Sequence, residues 1–214
     1  ALLFSLDLLS RRRDALHGVF DAVGEVDAAL STSAFRASLP FWCRPRFTAP
    51  GTGLMAVDAI HPLIDAAVPN SLVLAGPSLL VTGSNMAGKT TFLKTLGVNA
   101  LLGRTLATCA ARRWEAPAFD VVAAIGRSES LAEGTSYYLA EVRRVGALLR
   151  AADEASPRLF LLDELFRGTN TVERIAAGKA VLARLARAPH LAAVASHDLE
   201  LVPLLHGAYV PYHF

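Results

Sequence analysis

The hydrophobic positions of this chain change rhythm twice. Leu2, Leu6 and Leu9, then Leu16, Val19, Val23, Val26 and Leu30, recur at helical spacing with charges between them. That periodicity predicts helix from the first residue to about residue 38. The stretch Leu39 to Pro69 breaks the pattern with Pro40, Pro45, Pro50, Gly51, Gly53, Pro62 and Pro69, and reads as a linker followed by short strands. From Ser71 onward short apolar runs alternate with helical periods. Leu79–Val81 is a strand candidate, and a helix is predicted from Lys89 to about Leu102. Phe119 to Ile125 reads as a strand, and Tyr138, Val142, Val145 and Leu149 mark one face of the next helix. Leu159–Leu162 is a wholly apolar strand, Val172 to Ala188 is helical with Asn170 or Thr171 placed to cap it, and Leu191 to Ala195 is another strand.

Continuous apolar strands separated by helices predict a mostly parallel sheet covered by helices on both faces. The expected class is therefore α/β, with a helical segment over 1–40 and one larger domain over 41–214. Internal repeats and low-complexity segments are absent from the sequence.

Composition narrows the classes. The chain has 214 residues, 53% of them hydrophobic, ample for a buried core. Net charge is +2, pI is about 8.7 and mean hydropathy is +0.38. A dedicated nucleic-acid module carries a clearer basic stripe; the one dense basic run, Arg11-Arg12-Arg13, reads as a solvated helix face. Cys43 and Cys109 stand alone in the sequence without metal-type spacing, which fits a reducing compartment and a cytoplasmic location. The most apolar stretch, Leu72 to Val81, is broken by Gly76 and Pro77 and is too short to span a bilayer, so no membrane role is expected. The alanine start and the ending Pro211-Tyr212-His213-Phe214 suggest a piece of a longer protein.

The chemistry concentrates in three places. Gly83-Ser84-Asn85-Met86-Ala87-Gly88-Lys89-Thr90 matches G-x-x-x-x-G-K-S/T in full. Gly83 and Gly88 let the backbone curl so that successive N–H groups face phosphate oxygens, and the following helix turns its positive end to the anion. Lys89 is placed to reach the β and γ phosphates, and the Thr90 hydroxyl to ligate Mg²⁺. The apolar strand Leu159–Leu162 then runs into Asp163 and Glu164: an Asp at such a strand end holds Mg²⁺, and the next Glu suits a general base on water. His197, in Ser196-His197-Asp198 after the strand Leu191–Ala195, suits a γ-phosphate sensor. Two segments carry two readings each. Arg167-Gly168-Thr169-Asn170-Thr171 is either a turn with a helix cap or a loop touching a nucleotide across a dimer. Gly134-Thr135-Ser136, ahead of Glu141, is either a plain helix start or an anion site.

Together these residues resemble the ATPase domain of the DNA mismatch repair MutS family, from about Phe41 to the C-terminus. Thr82 to Thr91 is similar to the family's T-G-x-N-M-G/A-G-K-S/T-T, and Asn85-Met86 is its mark inside the loop. His61-Pro62, Ser130-Leu131-Ala132-Glu133-Gly134-Thr135-Ser136 with Glu141, Asp163-Glu164 with Arg167-Gly168-Thr169-Asn170-Thr171, and Ser196-His197 each resemble a family segment. The resemblance implies an ABC-type phosphate-loop ATPase, truncated after Phe214, with composite sites in a homodimer and DNA bound mostly by regions outside this chain. It implies that Gly83, Ser84, Asn85, Met86, Ala87, Gly88, Lys89, Thr90 and Thr91 bind ATP. Thr90 and Asp163 would hold Mg²⁺, Glu164 and His197 would act on water and γ-phosphate, and Ser136 would act in trans. Val68-Pro69-Asn70 falls where the family meets adenine, with Val68 in place of the usual aromatic ring. The N-terminal helices would match the end of the family's lever region.

The departures are specific. A mismatch-reading N-terminal domain and its Phe-x-Glu wedge are absent from the sequence, and Ala87 and Thr90 stand where many repair members have Gly and Ser. The pattern is closer to less characterised MutS-like branches. Two functions follow: a DNA-repair ATPase module switched by nucleotide as a dimer, or an ATP-gated dimerisation scaffold with little hydrolysis. A transporter-type ATPase needs a Leu-Ser-Gly-Gly signature that the chain lacks.

Overall fold

The computed structural model describes residues 12–84, 86–126, 137–166 and 170–214. They fall into two units, one ending at Pro40 and one from Phe41 to Phe214. Among its described residues the first holds the helix α1 (Arg13–Ser38), with Asp14 in its first turn and Arg36 in its last, charges that complement the helix dipole. None of its residues is buried; the periodic side chains Leu16, Val19, Val23, Val26 and Leu30 are exposed. Leu2, Leu6 and Leu9 lie outside the described residues.

The second unit contains two sheets. The smaller is mixed, ordered β1 (Arg46–Phe47), β5 (Arg113–Ala116), β2 (Leu54–Ala59), β3 (Asn70–Leu74). Its β1–β5 pair is parallel, and β2 is antiparallel to both β5 and β3. The larger has five parallel strands in the order β6 (Asp120–Ala124), β7 (Arg158–Asp163), β8 (Leu191–Ala195), β4 (Ser78–Thr82), β9 (Tyr209–His213). Among the described residues, the helices between these strands are α2 (Lys89–Leu106), α3 (Tyr137–Ala151), α4 (Thr171–Leu185) and the short α5 (Leu201–Leu204).

Alternation along the buried strands explains why they read as unbroken apolar runs. Leu79, Val81, Leu159, Leu161, Leu191 and Ala193 point to one face, where they meet Phe92, Leu93 and Leu96 of α2 and the small-sheet residues Leu54, Leu72 and Trp114. Leu80, Phe160, Leu162, Ala192 and Val194 point to the other, against Val145 and Leu148 of α3, Val181, Leu182 and Leu185 of α4, and Leu201 of α5. Both faces are covered, so neither can be polar. Gly97 lets α2 lie close on the sheet: a Cβ there would stand 2.4 Å from Leu161 Cδ1.

Several expected boundaries move. α2 continues past Leu102 to Leu106, because Gly103 faces Cys109 Sγ and Pro45 and there serves packing rather than termination. α4 stops at Leu185 instead of Ala188; Pro189 follows, and the residue before a proline is steered away from helix. Asn170 is the cap, its Oδ1 accepting the Glu173 N–H at 3.0 Å. Val142, expected on the buried face of α3, is exposed, while Val145 and Leu148 are buried. Pro211 lies within β9, an edge strand, where a missing N–H is tolerated.

The two cysteines are not isolated. Cys43 and Cys109 face each other across an antiparallel bridge and exchange both backbone hydrogen bonds at 2.9 Å. The hydrogen bond with Cys43, then burial, pushes the Cys109 thiol far up, whereas hydrogen bonds from Cys109 and the Trp114 backbone hold Cys43 below the usual thiol value. Among the described residues, no helix is long and apolar enough to cross a membrane.

Candidate functional site

Parallel strands end on one edge, and their register brings three ends level. Ala195 of β8 pairs with Val81 of β4 on one side and with Asp163 of β7 on the other. The chain leaves these ends as Gly83, Glu164 and Ser196. Crevices at the carboxyl ends of such strands are where α/β sheets bind ligands.

The loop after β4 owes its shape to backbone that ordinary residues resist. Gly83 has φ +140°, and a Cβ there would lie 2.2 Å from the Phe214 carbonyl oxygen. The end of β9 thus presses on the loop, with the Phe214 N–H donating to Thr82 O at 2.9 Å. Gly88 has φ +102° with open space around it, so its requirement is conformational. Met86 also takes a positive φ of 67° and is fully exposed. Lys89 opens α2 and is largely buried. Its Nζ donates to the carbonyls of Gly83 and Ser84 at 2.8 and 2.6 Å, folding the loop around the ammonium.

Thr90, one residue on, donates from Oγ1 to Asp163 Oδ2 at 2.8 Å. Glu164 sits at φ +54°, its N–H bonded to Ala195 O at 3.0 Å. That turn directs its carboxylate to His197, with Nε2 2.8 Å from Glu164 Oε1. Met86, Ala87, Gly88, Lys89, Thr90, Thr91, Asp163, Glu164 and His197 line one cavity of about 280 Å³. Ser84 meets it through the Lys89 contact. The site therefore joins side chains from three strand ends and the first turn of α2.

Other expected residues lie apart or outside the description. Val68 and Asn70 do not line this cavity; Asn70 begins β3 in the small sheet and donates to Val68 O at 3.0 Å, and Val68 is exposed. His61, after β2, is also apart. Burial, then the Lys94 charge, holds its imidazole below the usual histidine value. Asn85, Ser130 to Ser136 and Arg167 to Thr169 lie outside the described residues. Glu141 of α3 is placed: its Oε1 accepts the Phe166 N–H.

Sequence reasoning missed one pair. Arg174 holds Asp198 through two bonds, Nε to Oδ2 at 2.8 Å and Nη2 to Oδ1 at 2.6 Å. Asp198, and more weakly Glu200 and Glu164, raise the guanidinium pKa above its ordinary value. A signal existed: a cation one turn into a helix opposes the dipole, which calls for an anionic partner.

The family model of MutS domain V matches residues 79–208, more than half of the chain, and spans the whole constellation. The chain belongs to the MutS family. The matched domain V region begins in β4 and ends just before β9. The chain is 36% identical over 200 residues to a DNA mismatch repair protein MutS of Thermus thermophilus, covering 91% of this chain and 24% of that protein. It is 32% identical over 186 residues to the DNA mismatch repair protein MSH3 of Phaeosphaeria nodorum, covering 83% of this chain and 16% of MSH3. It is 33% identical over 193 residues to Endonuclease MutS2 of Gemmatimonas aurantiaca, with 86% and 23% covered. The chain thus spans about a quarter or less of these curated relatives.

Proposed function

We propose that this chain is the ATP-binding and ATP-hydrolysing module of a MutS-like DNA-repair protein, built on an ABC-type phosphate-loop fold and acting as a nucleotide-switched homodimer. The observation that carries the reading is the single cavity in which Lys89, Thr90, Asp163, Glu164 and His197 converge. The donor set suits Mg²⁺–ATP. Thr90 and Asp163 bring two hard oxygens within 2.8 Å of each other. No group of three His, Cys, Asp or Glu among the described residues would cage a metal unaided. Mg²⁺ keeps several waters and favours a few oxygen ligands completed by phosphates.

When bound, the metal polarises the terminal phosphate. The chain's own residues do the rest. The N–H groups of the Gly83–Thr90 loop and the start of α2 receive phosphate oxygens. Lys89 exchanges two loop carbonyls for phosphate. Glu164 takes the proton of an attacking water, and His197, in contact with Glu164 Oε1, orients the base and senses the γ-phosphate. Ser136 serves the partner's nucleotide in trans, and Val68 and Asn70 take the base. Loss of the γ-phosphate opens the dimer and moves attached DNA-binding regions. The protein works in the cytoplasm.

The test combines ATP titration, phosphate release and sedimentation of the full-length protein, with homoduplex, mismatched and branched DNA. Tight Mg²⁺-dependent ATP binding with phosphate release is expected. Lys89→Ala should abolish binding, while Glu164→Gln should keep binding and lose turnover by about 100-fold or more. Nucleotide-dependent dimerisation without phosphate release would leave the scaffold function instead, and normal turnover in Glu164→Gln would remove the general-base role. Equal rates on all three DNAs would remove mismatch sensing.

A further inference from the structure

His197 and Glu164 belong to two cavities. One is the site above. The second, of about 260 Å³, is lined by Glu164, Leu165, Arg174, Ser196, His197 and Asp198. The His197–Glu164 contact thus forms a partition with loop and helix residues behind it. Hydrogen bonds from the sheet, from within the turn and from α4 fix the turn that carries His197. The Ser196 N–H donates to Val81 O at 3.0 Å. Ser196 Oγ accepts the Asp198 N–H at 3.1 Å. The Asp198 carboxylate receives the Arg174 fork. The first two are local or belong to the sheet. The Arg174 fork ties the turn to α4.

We propose that Arg174 is a positioning residue: by clamping Asp198 it holds the Ser196-His197-Asp198 turn so that His197 stays on Glu164, and it sets the rate of water attack without touching nucleotide. The inference rests on the ATPase reading above. The fork geometry is what matters. A guanidinium on a carboxylate fixes direction as well as distance, which one ammonium contact does not. Both side chains are largely shielded, 25% exposed for Arg174 and 16% for Asp198, so water competes weakly.

The test uses the full-length protein with Mg²⁺ and ATP. It measures kcat, KM, affinity for a fluorescent ATP analogue, and melting temperature. Arg174→Ala and Asp198→Ala should each lower kcat by about 10- to 100-fold, the scale of a misplaced catalytic group, with nucleotide affinity changed less than about 2-fold. Arg174→Lys should recover part of the loss, and the double variant should be no worse than the worse single one, as for residues acting as one unit. In a Glu164→Gln background, Arg174→Ala should have no further effect on residual turnover. A merely structural clamp would lower melting temperature and affinity together and would still act in that background; that result overturns the inference. So does unchanged kcat in Arg174→Ala. If that variant does not fold, the same comparison is made with Arg174→Lys and Arg174→Gln. No turnover in the unaltered protein would overturn the ATPase reading and this inference with it, whereas turnover insensitive to Arg174 overturns this inference alone.

Discussion

Thr90 and Asp163, 73 residues apart in sequence, are joined by a 2.8 Å hydrogen bond from Thr90 Oγ1 to Asp163 Oδ2. The first turn of α2 and the end of β7 thereby present one hydroxyl and one carboxylate at the same point. If that point holds Mg²⁺, Asp163→Asn should weaken nucleotide binding by about 10- to 100-fold when Mg²⁺ is present, the scale seen when a residue orienting a metal's shell is lost. Affinity in excess chelator should hardly change. The measurement is a fluorescent-nucleotide titration with and without Mg²⁺, and an equal loss in both arms would mean that Asp163 supports the loop, not the metal.

The two loop glycines should fail differently. At Gly83 a Cβ would collide with the Phe214 backbone at 2.2 Å, so β9 must move. Gly83→Ala should therefore cost about 2–4 kcal/mol of global stability, combining overpacking with a strained φ. At Gly88 the space is open and only φ +102° resists, so Gly88→Ala should cost about 1–2 kcal/mol while sharply weakening nucleotide binding. Urea midpoints alongside nucleotide titrations separate the two. Equal destabilisation by both would contradict the role assigned to Phe214.

The difference between these glycines shows what a sequence discloses. The motif marks both positions, and the strand–loop–helix order around them was legible because Leu79–Val81 and Lys89 onward carry clear periods. The long parallel-sheet strands were equally plain, since burial on both faces leaves no polar position in Leu159–Leu162 or Leu191–Ala195. What stayed hidden depends on pairing between distant segments. β9 carries a proline and alternating exposure, so its sequence lacks a strand signal until β4 lies beside it. β5, with Arg113 and Glu115 flanking Trp114, looks like loop without β2. The Cys43–Cys109 facing pair and the Arg174–Asp198 fork are likewise products of topology. The candidate residues Asp163, Glu164 and His197 follow apolar strands and stood out in the sequence; Arg174, which reaches the His197 turn from another element, did not.

The facing cysteines make an oxidation prediction. In an antiparallel pair exchanging both backbone bonds, the Cα atoms lie about 5.5 Å apart, within the range a disulfide bridges. Hydrogen bonds keep the Cys43 thiol below its usual pKa, while Cys109 is pushed up, so Cys43 supplies the thiolate. Peroxide should convert Cys43 to a sulfenic acid with release of water; the Cys109 sulfur then displaces a second water to close the bond. The rate should rise with pH as Cys43 deprotonates. Mass spectrometry should record loss of two hydrogens in the native protein and none in Cys43→Ser. A persistent sulfenic or sulfinic product without closure would show that the side chains cannot reach each other.

Asn99 offers the sharpest test of how α2 is anchored beneath the site. It is fully buried, and its Nδ2 donates to Ile60 O at 3.1 Å and Thr95 O at 2.9 Å, while Oδ1 accepts the Ala110 N–H at 2.6 Å. One amide thus joins α2 to the end of β2 and the approach to β5. Asn99→Ala leaves the Ile60 carbonyl and the Ala110 N–H short of a partner in the interior, about 1–3 kcal/mol each, so a loss of about 2–4 kcal/mol is expected in urea unfolding. Asn99→Asp should be worse at neutral pH, because a buried carboxylate would face two carbonyl oxygens where the amide donated. Burial and those oxygens must raise the new carboxyl's pKa in the folded state. Its cost relative to the parent should then be full and constant above that raised value and shrink as pH falls from it toward the ordinary carboxylate pKa, where the protonated acid can donate once. A loss in Asn99→Asp that is the same at low and neutral pH would mean that the side chain turns out to solvent and that α2 is not anchored through this position.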